Sequence, residues 1–329
     1  MKHVRLVILL LVLLLPAGNT WAQSLPLKKS GAAYGAGYYV SPSQYDYSGV
    51  AATMVAGAQT KYDKAKRIYE WICEHIAYDT QSDIRTADEC WTQRRGVCQG
   101  YCELYYRLCR TQGVDVDIVY GDARNEHSRT TEMHAWVLVG TERGRILVDP
   151  TWGAGSVGRR GFVRNKVPFE WFDVDPAWFV FTHLPKRKSN QRLDHSATTD
   201  EFARLPFAAP RMKVMGWTAD ALFRHAVLST LTLPRVEAHT ADFVRFSEAP
   251  MTSTLAVGET YTFTLRKLLP CTVSIYNEQD KTPETSWTPS AESLTISYTP
   301  KRSGSLRIVV EQRSTFYSLP YTIVTYRVR

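Results

Sequence analysis

Three short segments place a thiol, an imidazole and a carboxylate in a fixed order along this chain of 329 residues. They are Arg94-Arg95-Gly96-Val97-Cys98-Gln99-Gly100-Tyr101, Met133-His134-Ala135-Trp136-Val137-Leu138-Val139 and Ile146-Leu147-Val148-Asp149-Pro150-Thr151-Trp152-Gly153. A thiol is a weak nucleophile at neutral pH, but an adjacent base converts it to a thiolate and a third group can orient that base. The order Cys98, His134, Asp149 therefore predicts a nucleophile, a base and an orienting carboxylate.

Each of these three residues stands where the predicted secondary structure changes. Cys98 begins a predicted helix, and the partial positive charge there stabilises a thiolate, while free N–H groups such as that of Cys98 can hold an oxyanion. His134 begins a predicted strand, and Asp149 ends another because Pro150 cannot continue a β-ladder. Taken singly, a Cys, a His or an Asp-Pro turn is more often structural; the three flanked motifs together favour a catalytic type of site.

The combined pattern R-x-G-V-C, H-A-W-x-x-V and V-D-P-T-W resembles the transglutaminase-like superfamily, which is related to papain-like cysteine proteases, over roughly residues 45–185. The resemblance implies an α+β fold with a papain/transglutaminase-like core, in which helices pack on an antiparallel sheet. It implies a Cys-His-Asp triad of Cys98, His134 and Asp149 acting on a protein or peptide substrate. The acyl group would pass through a thioester to an amine, giving a cross-link, or to water, giving hydrolysis.

The second oxyanion donor is open at this point. Papain-like enzymes use a Gln shortly before the nucleophile and transglutaminases use an aromatic side chain further upstream, which makes Gln93 and Trp91 the candidates, with Tyr78 further back. The segment Thr182-His183-Leu184-Pro185 resembles an element near the end of related bacterial domains, and we expect a structural role for His183.

Two other classes of function compete with the enzyme. A catalytically inactive transglutaminase-like module would bind proteins through the β-rich C-terminal half, but the complete triad favours an enzyme. A disulfide oxidoreductase would use a C-x-x-C pair, whereas three residues separate Cys98 from Cys102.

Charge and cysteine usage exclude further classes. The net charge is +8, but the basic residues are scattered without interleaved aromatic residues, so we expect no nucleic-acid partner. The six cysteines form no two C-x-x-C pairs and the chain has no EF-hand loop, so we expect no cofactor and no metal. Apart from Cys98, most cysteines are expected to be small buried apolar residues.

The N-terminus has the pattern of a secretory signal peptide. Lys2 and Arg5 precede an apolar run from Leu6 to Leu15, and a small-residue segment ends at Ala22. The run is too short to span a bilayer, so we expect cleavage after Ala22, a secreted or periplasmic protein and no membrane span in the mature chain.

The pattern after the signal peptide predicts two domains. Residues 23–45 are expected to be an extended lead-in, and residues 46–200 the transglutaminase-like domain, with helices after Thr60 and from Cys98 and with strands at 114–120, 133–139 and 145–148. The segment 80–95 is expected to be a loop. Residues 201–329 contain short β-rich segments separated by Pro, Gly and Asn, which predicts a β-sandwich of immunoglobulin-like type.

Overall fold

The computed structural model describes residues 28–29, 40–126, 130–166, 168–228, 230–277, 282–287, 292–313 and 318–329. The expected signal peptide at 1–22 and most of the expected lead-in at 23–45 lie outside the described residues. In the part of the chain that is described, no helix combines the length and the hydrophobicity needed to cross a membrane.

The α-helices of the described residues are, in chain order, α1 (Ser48–Met54), α2 (Lys61–His75), α3 (Ala87–Gln93), α4 (Cys98–Thr111), α5 (Pro150–Ala154), α6 (Pro176–Phe179), α7 (Thr199–Arg204), α8 (Ala219–Leu228) and α9 (Thr240–Phe243). Short 3₁₀ helices occur at Pro168–Trp171, Lys188–Gln191 and Pro210–Met215.

The β-strands of the N-terminal half are β1 (Lys28–Lys29), β2 (Tyr45–Asp46), β3 (Ala77–Tyr78), β4 (Arg95–Gly96), β5 (Asp115–Ala123), β6 (Glu132–Thr141), β7 (Gly144–Val148), β8 (Gly155–Gly158), β9 (Gly161–Arg164), β10 (Phe172–Val174) and β11 (His183–Pro185). Those that follow are β12 (Arg235–Val236), β13 (Val244–Glu248), β14 (Thr254–Leu255), β15 (Tyr261–Lys267), β16 (Thr272–Asn277), β17 (Thr285–Trp287), β18 (Ser293–Tyr298), β19 (Gly304–Arg313) and β20 (Ser318–Val328).

Helix α2 begins where the sequence predicts, because the Thr60 side chain accepts a hydrogen bond from the Asp63 N–H. The apolar spacing of Ile68, Ile72 and Ile76 predicts a helix that continues to Tyr78-Asp79, but the helix is shorter. The helix ends at His75 with Ile76 as its C-cap, because Ala77 and Tyr78 then pair as β3 with the short parallel strand β4. That pairing brings Tyr78 opposite Gly96, two residues before the start of α4.

The expected loop at 80–95 was wrong in part, because it contains helix α3. The Thr86 side chain caps α3 by accepting from the Glu89 N–H, and the C-cap residue after Gln93 is Arg94, in the left-handed conformation (φ 55°). Trp91 is buried on this helix. A capped apolar segment of this kind can form a helix too short to show clear periodicity.

A five-stranded antiparallel sheet with the order β10-β7-β6-β5-β11 forms the centre of the N-terminal half. Alternating side chains divide between two apolar clusters. Val137, Val139 and Val148 pack with the helices, whereas Trp136 and Leu138 pack on the opposite face with Trp171 and Phe179. The expected α+β arrangement of helices on an antiparallel sheet is therefore confirmed.

Strand β11 closes one edge of this sheet by pairing with β5. The approach is so close that a Cβ at Gly121 would lie 2.1 Å from the Leu184 carbonyl oxygen and 2.6 Å from the Trp136 ring. Glycine at position 121 therefore allows β11 to reach the sheet.

The C-terminal strands form two sheets around one apolar core. One sheet has the order β13-β15-β18, and the other has the order β12-β20-β19-β16-β17, with β14 parallel to β20. Residues of both sheets, such as Phe263 and Ile308, share a cluster that begins at Trp178. The immunoglobulin-like type and the boundary at residue 200 stay predictions; the shared core shows that residues 178–200 also pack with the segment that follows them.

Candidate active site

Cys98 stands at the first position of α4, and the preceding loop fixes that end of the helix. The Asp79 carboxylate accepts from the N–H groups of Gln81, Ser82 and Ile84, which holds the loop in a tight turn. The Ile84 carbonyl in turn accepts from the Val97 N–H, directly before Cys98. A Cβ at Gly100 would lie 2.7 Å from this carbonyl oxygen, so the close approach needs glycine.

The helical ladder of α4 begins after the thiol. Its first main-chain hydrogen bond runs from the Tyr101 N–H to the Val97 carbonyl, so the Cys98 N–H is one of the groups that a helix start leaves outside the ladder. This N–H stands beside its own half-buried thiol.

The structure brings His134 and Asp149 together with Cys98. His134 Nε2 lies 2.9 Å from Asp149 Oδ2, which leaves Nδ1 for the thiol. The Cys98 thiol lies close enough to the His134 side chain and to the Ala135 N–H for both to lower its pKa. The sequence-predicted nucleophile, base and carboxylate thus form one connected row.

The protonation of this row follows from burial and charge. Burial alone would lower the pKa of His134, but the charge of Asp149 and the hydrogen bonds to Asp149 and Cys98 outweigh it and raise the pKa to about 10. Burial would raise the pKa of the Cys98 thiol, but the hydrogen bond and charge of His134 bring it below its ordinary value. The arrangement therefore favours a thiolate beside an imidazolium.

Asp149 is fully buried and accepts hydrogen bonds at both carboxylate oxygens. Oδ1 accepts from the N–H groups of Thr151 and Trp152 at 2.9 and 3.0 Å, because Asp149 is the N-cap of α5. Burial would raise the pKa of Asp149, but the His134 charge and the hydrogen bonds from His134 and His183 hold it well below its ordinary value.

His183 contacts the same carboxylate, which sequence reasoning did not anticipate. Its Nε2 lies 3.1 Å from Asp149 Oδ2, and its Nδ1 lies 2.8 Å from Thr182 Oγ1. The sequence signal was the Thr182-His183-Leu184-Pro185 segment. Its contact with Asp149 could not be predicted, because it depends on the pairing of β11 with β5.

His134, Asp149 and His183 are also the one group of acidic, His and Cys side chains in the described residues close enough to hold a metal ion. The two Nε2–Oδ2 separations are hydrogen-bond lengths, so we interpret the group as a hydrogen-bonded network.

The two oxyanion candidates, Trp91 and Gln93, differ in burial: Trp91 is buried and Gln93 is exposed. Trp91 stacks on Trp71 with a centroid separation of 5.0 Å, and the exposed Gln93 side chain contacts Arg95. These partners are residues other than Cys98, and the role of both candidates stays a prediction.

Tyr78 is half-buried and lies near the thiol. Burial, followed by the charges of Cys98 and Glu132, raises the pKa of Tyr78 to about 12, so the phenol keeps its proton at neutral pH. The pairing of Tyr78 with Gly96 places this donor beside the start of α4.

The six cysteines are free, and all except Cys98 are buried. Burial raises the pKa of the Cys73, Cys90, Cys102 and Cys109 thiols well above the ordinary value. Cys98 is therefore the thiol whose surroundings favour ionisation.

Comparisons with known proteins point to one family. Residues 48–150 match the model of the transglutaminase-like superfamily. The kyphoscoliosis peptidases of Mus musculus and Homo sapiens are 30% and 31% identical over 162 residues, which is 44% of this chain. The chain spans 24% of the length of these curated relatives.

Solved structures overlap only part of the chain. A proposed cysteine protease of Cytophaga hutchinsonii is 23% identical with a TM-score of 0.29, and it covers 36% of this chain and 39% of its own. A TGase is 16% identical with a TM-score of 0.27, covering 36% and 32%. The similarity to the transglutaminase-like superfamily rests on the matched segment, residues 48–150, which contains Cys98, His134 and Asp149.

Proposed function

We propose that this protein is an exported cysteine enzyme that transfers acyl groups from protein or peptide carboxamides through a thioester on Cys98. The observation that supports the proposal is the row in which the Cys98 thiol lies beside His134 and His134 Nε2 lies 2.9 Å from the buried Asp149 carboxylate. Export is proposed from the signal-like sequence that ends at Ala22.

In the first half of the reaction, the Cys98 thiolate attacks the substrate carbonyl carbon. A carbon–sulfur bond forms and the carbonyl electrons move to the oxygen, where the N–H of Cys98 and the hydroxyl of Tyr78 are proposed to stabilise the negative charge. As the carbon–nitrogen bond breaks, the His134 imidazolium gives its proton to the leaving amine. The products are a thioester and a neutral His134.

In the second half, neutral His134 takes a proton from an incoming amine or water, which attacks the thioester. The carbon–sulfur bond then breaks, and the thiolate beside an imidazolium is restored. An amine gives an isopeptide bond and water gives a free acid. The name of the curated relatives, a peptidase, favours hydrolysis as the first activity to assay.

The test compares wild type with Cys98→Ala in two assays, incorporation of a fluorescent primary amine into casein and hydrolysis of a peptide library. We expect Cys98→Ala to abolish whichever activity the wild type has, while the free energy of unfolding changes by no more than about 1 kcal/mol. Cys102→Ala is the matched control, since Cys102 lies one turn later on the same helix and is fully buried.

Activity retained by Cys98→Ala would place the nucleophile elsewhere. A wild type that is silent in both assays, and whose Cys98 reacts with iodoacetamide no faster than an ordinary thiol, would instead support a catalytically inactive protein-binding module.

A further inference from the structure

One carboxylate oxygen of the candidate site serves two imidazoles. Asp149 Oδ2 lies 2.9 Å from His134 Nε2 and 3.1 Å from His183 Nε2, while Oδ1 accepts from two backbone N–H groups. A buried carboxylate with both oxygens bound in this way has its orientation fixed. His183 lies outside the segment matched by the family model, which ends at residue 150.

Proton accounting determines which nitrogen of His183 carries hydrogen. Thr182 Oγ1 is 2.8 Å from His183 Nδ1 and 3.1 Å from the Phe179 carbonyl oxygen, and a hydroxyl has one proton to donate. If that proton went to Phe179, a neutral His183 would carry hydrogen on Nδ1 and would turn a lone pair towards Asp149. If it goes to Nδ1, the ring hydrogen is on Nε2 and points at the carboxylate.

The second arrangement satisfies both contacts of the ring. Burial lowers the pKa of His183 to about 4, although the hydrogen bond and charge of Asp149 act in the opposite direction, so the ring is neutral at physiological pH. Thr182 therefore sets the Nε2–H tautomer, and His183 is a neutral donor to Asp149.

Aromatic rings surround His183, so the Nε2–H group has the Asp149 carboxylate as its hydrogen-bond acceptor. The His183 ring is stacked on Phe179 with a centroid separation of 3.9 Å and an interplanar angle of 6°, and it lies 4.5 Å from Trp152 and 5.0 Å from Trp136. A phenyl ring would fill the same space without burying polar atoms. What the imidazole adds to packing is its hydrogen bonds.

We propose that His183 is a positioning residue that shares Asp149 Oδ2 with His134 and so holds the carboxylate aligned and ionised against the base. The inference rests on the proposed function in that Cys98 is the nucleophile. It extends the expected row of three residues to four, with the fourth supplied by the sheet edge at β11.

The titratable groups that face Asp149 come from five elements. Cys98 and Cys102 lie on α4, Tyr69 and Cys73 on α2, Tyr78 on β3, His134 on β6 and His183 on β11. Burial raises the pKa of Tyr69, Tyr78, Cys73 and Cys102. Between pH 4 and 8, the groups whose protonation can change when His183 is replaced are therefore His134, Cys98 and Asp149.

The experiment measures the rate of Cys98 alkylation by iodoacetamide between pH 4 and 9, resolved by mass spectrometry, in wild type, His183→Phe and His183→Gln. Without the second donor, Asp149 takes up a proton at higher pH and His134 loses its counter-charge. We expect the acid limb of the His183→Phe curve to move upward by about one pH unit, with a rate about tenfold lower at pH 5. His183→Gln, whose amide nitrogen can reach the position of Nε2, is expected to restore most of the wild-type curve.

If His183→Phe does not fold, His183→Gln is compared with His183→Asn, whose shorter amide does not reach Asp149 and is expected to behave as a loss of the donor. Two results would overturn the role of His183 alone. In the first, the wild-type curve differs from that of an ordinary thiol, but a folded His183→Phe protein gives the same curve as wild type. In the second, the Gln and Asn variants give equal curves. A wild-type curve like that of an ordinary thiol would overturn the proposed function and this role together.

Discussion

Asp149 connects more of the candidate site than any other single residue, because it directly follows β7, caps α5 and binds two imidazoles. Its charge raises the pKa of His134, which in turn lowers that of Cys98. The ionisation of the Cys98 thiol thus depends on a carboxylate that is itself buried.

Tyr78→Phe tests the proposed oxyanion donor. The hydroxyl is removed with little change in volume, so the fold and the alkylation of Cys98 should be preserved, whereas kcat should fall by about 10²-fold because one oxyanion donor is lost. The measurement is steady-state turnover beside the alkylation rate. Trp91→Phe is the matched control; a larger loss of kcat in that variant would return the donor role to Trp91.

His183 also predicts how stability depends on pH. Its folded-state pKa of about 4 lies below the value of about 6.5 in an unfolded chain, so unfolding takes up a proton between these values. Stability from this group is complete above pH 6.5 and is lost as the pH falls towards 4, by up to about 3 kcal/mol. His134 has a raised pKa and acts at the other end, where its contribution disappears between pH 6.5 and 10.

Urea unfolding at pH 4.5 and 7 checks this. The fall in the free energy of unfolding between the two pH values should be smaller in His183→Gln than in wild type. An equal fall in both proteins would mean that His183 is already protonated in the folded chain.

At the scale of elements, the sequence predicted those parts whose signals are local. The Thr60 cap, the start of α4 at Cys98 and the hairpin of β6 and β7 follow from caps, apolar periods and turn residues close by. The place of His183 does not, because 34 residues separate it from Asp149 and the contact depends on the pairing of β11 with β5. Helix α3 was missed because its seven residues are too few for a clear period.

Gly121→Ala tests how tightly β11 is held. The added Cβ would meet the Leu184 carbonyl and the Trp136 ring, so β11 must move away from the sheet. We expect a loss of about 2 kcal/mol in the free energy of unfolding, together with the alkylation profile of a site that lacks His183. Gly49→Ala is the control, since nothing lies within 4 Å of its added Cβ in helix α1. A Gly121→Ala protein with wild-type stability would show that β11 can accommodate the added Cβ without loss of packing.

At the scale of the whole molecule, Arg211 links the segment after residue 200 to the one before it. Its guanidinium bonds to both oxygens of Glu170 at 3.1 Å, to Glu126 at 3.1 Å and to the Val236 carbonyl at 2.9 Å. The Glu170 side chain is only 5% exposed, so this ion pair is screened little by solvent.

Arg211→Met is expected to lower the free energy of unfolding by about 2–4 kcal/mol, because it leaves the buried Glu170 carboxylate without its counter-charge. Lys213→Met removes the half-exposed pair with Asp175 and should cost less than about 1 kcal/mol. Chemical denaturation of both variants gives the comparison. Equal losses would mean that Arg211 contributes no more than an ordinary surface charge.

The pairing of β11 also sets an order of events during synthesis. The ribosome releases Cys98, His134 and Asp149 first, and His183 follows 34 residues after Asp149. Its neighbour Leu184 packs in the cluster that contains the C-terminal strands, so the edge of the sheet is secured only when that later part of the chain has folded. A nascent chain therefore presents the Cys98 thiol before β11 can complete the surroundings of Asp149, and the contact between His183 and Asp149 forms only after the C-terminal strands have been made.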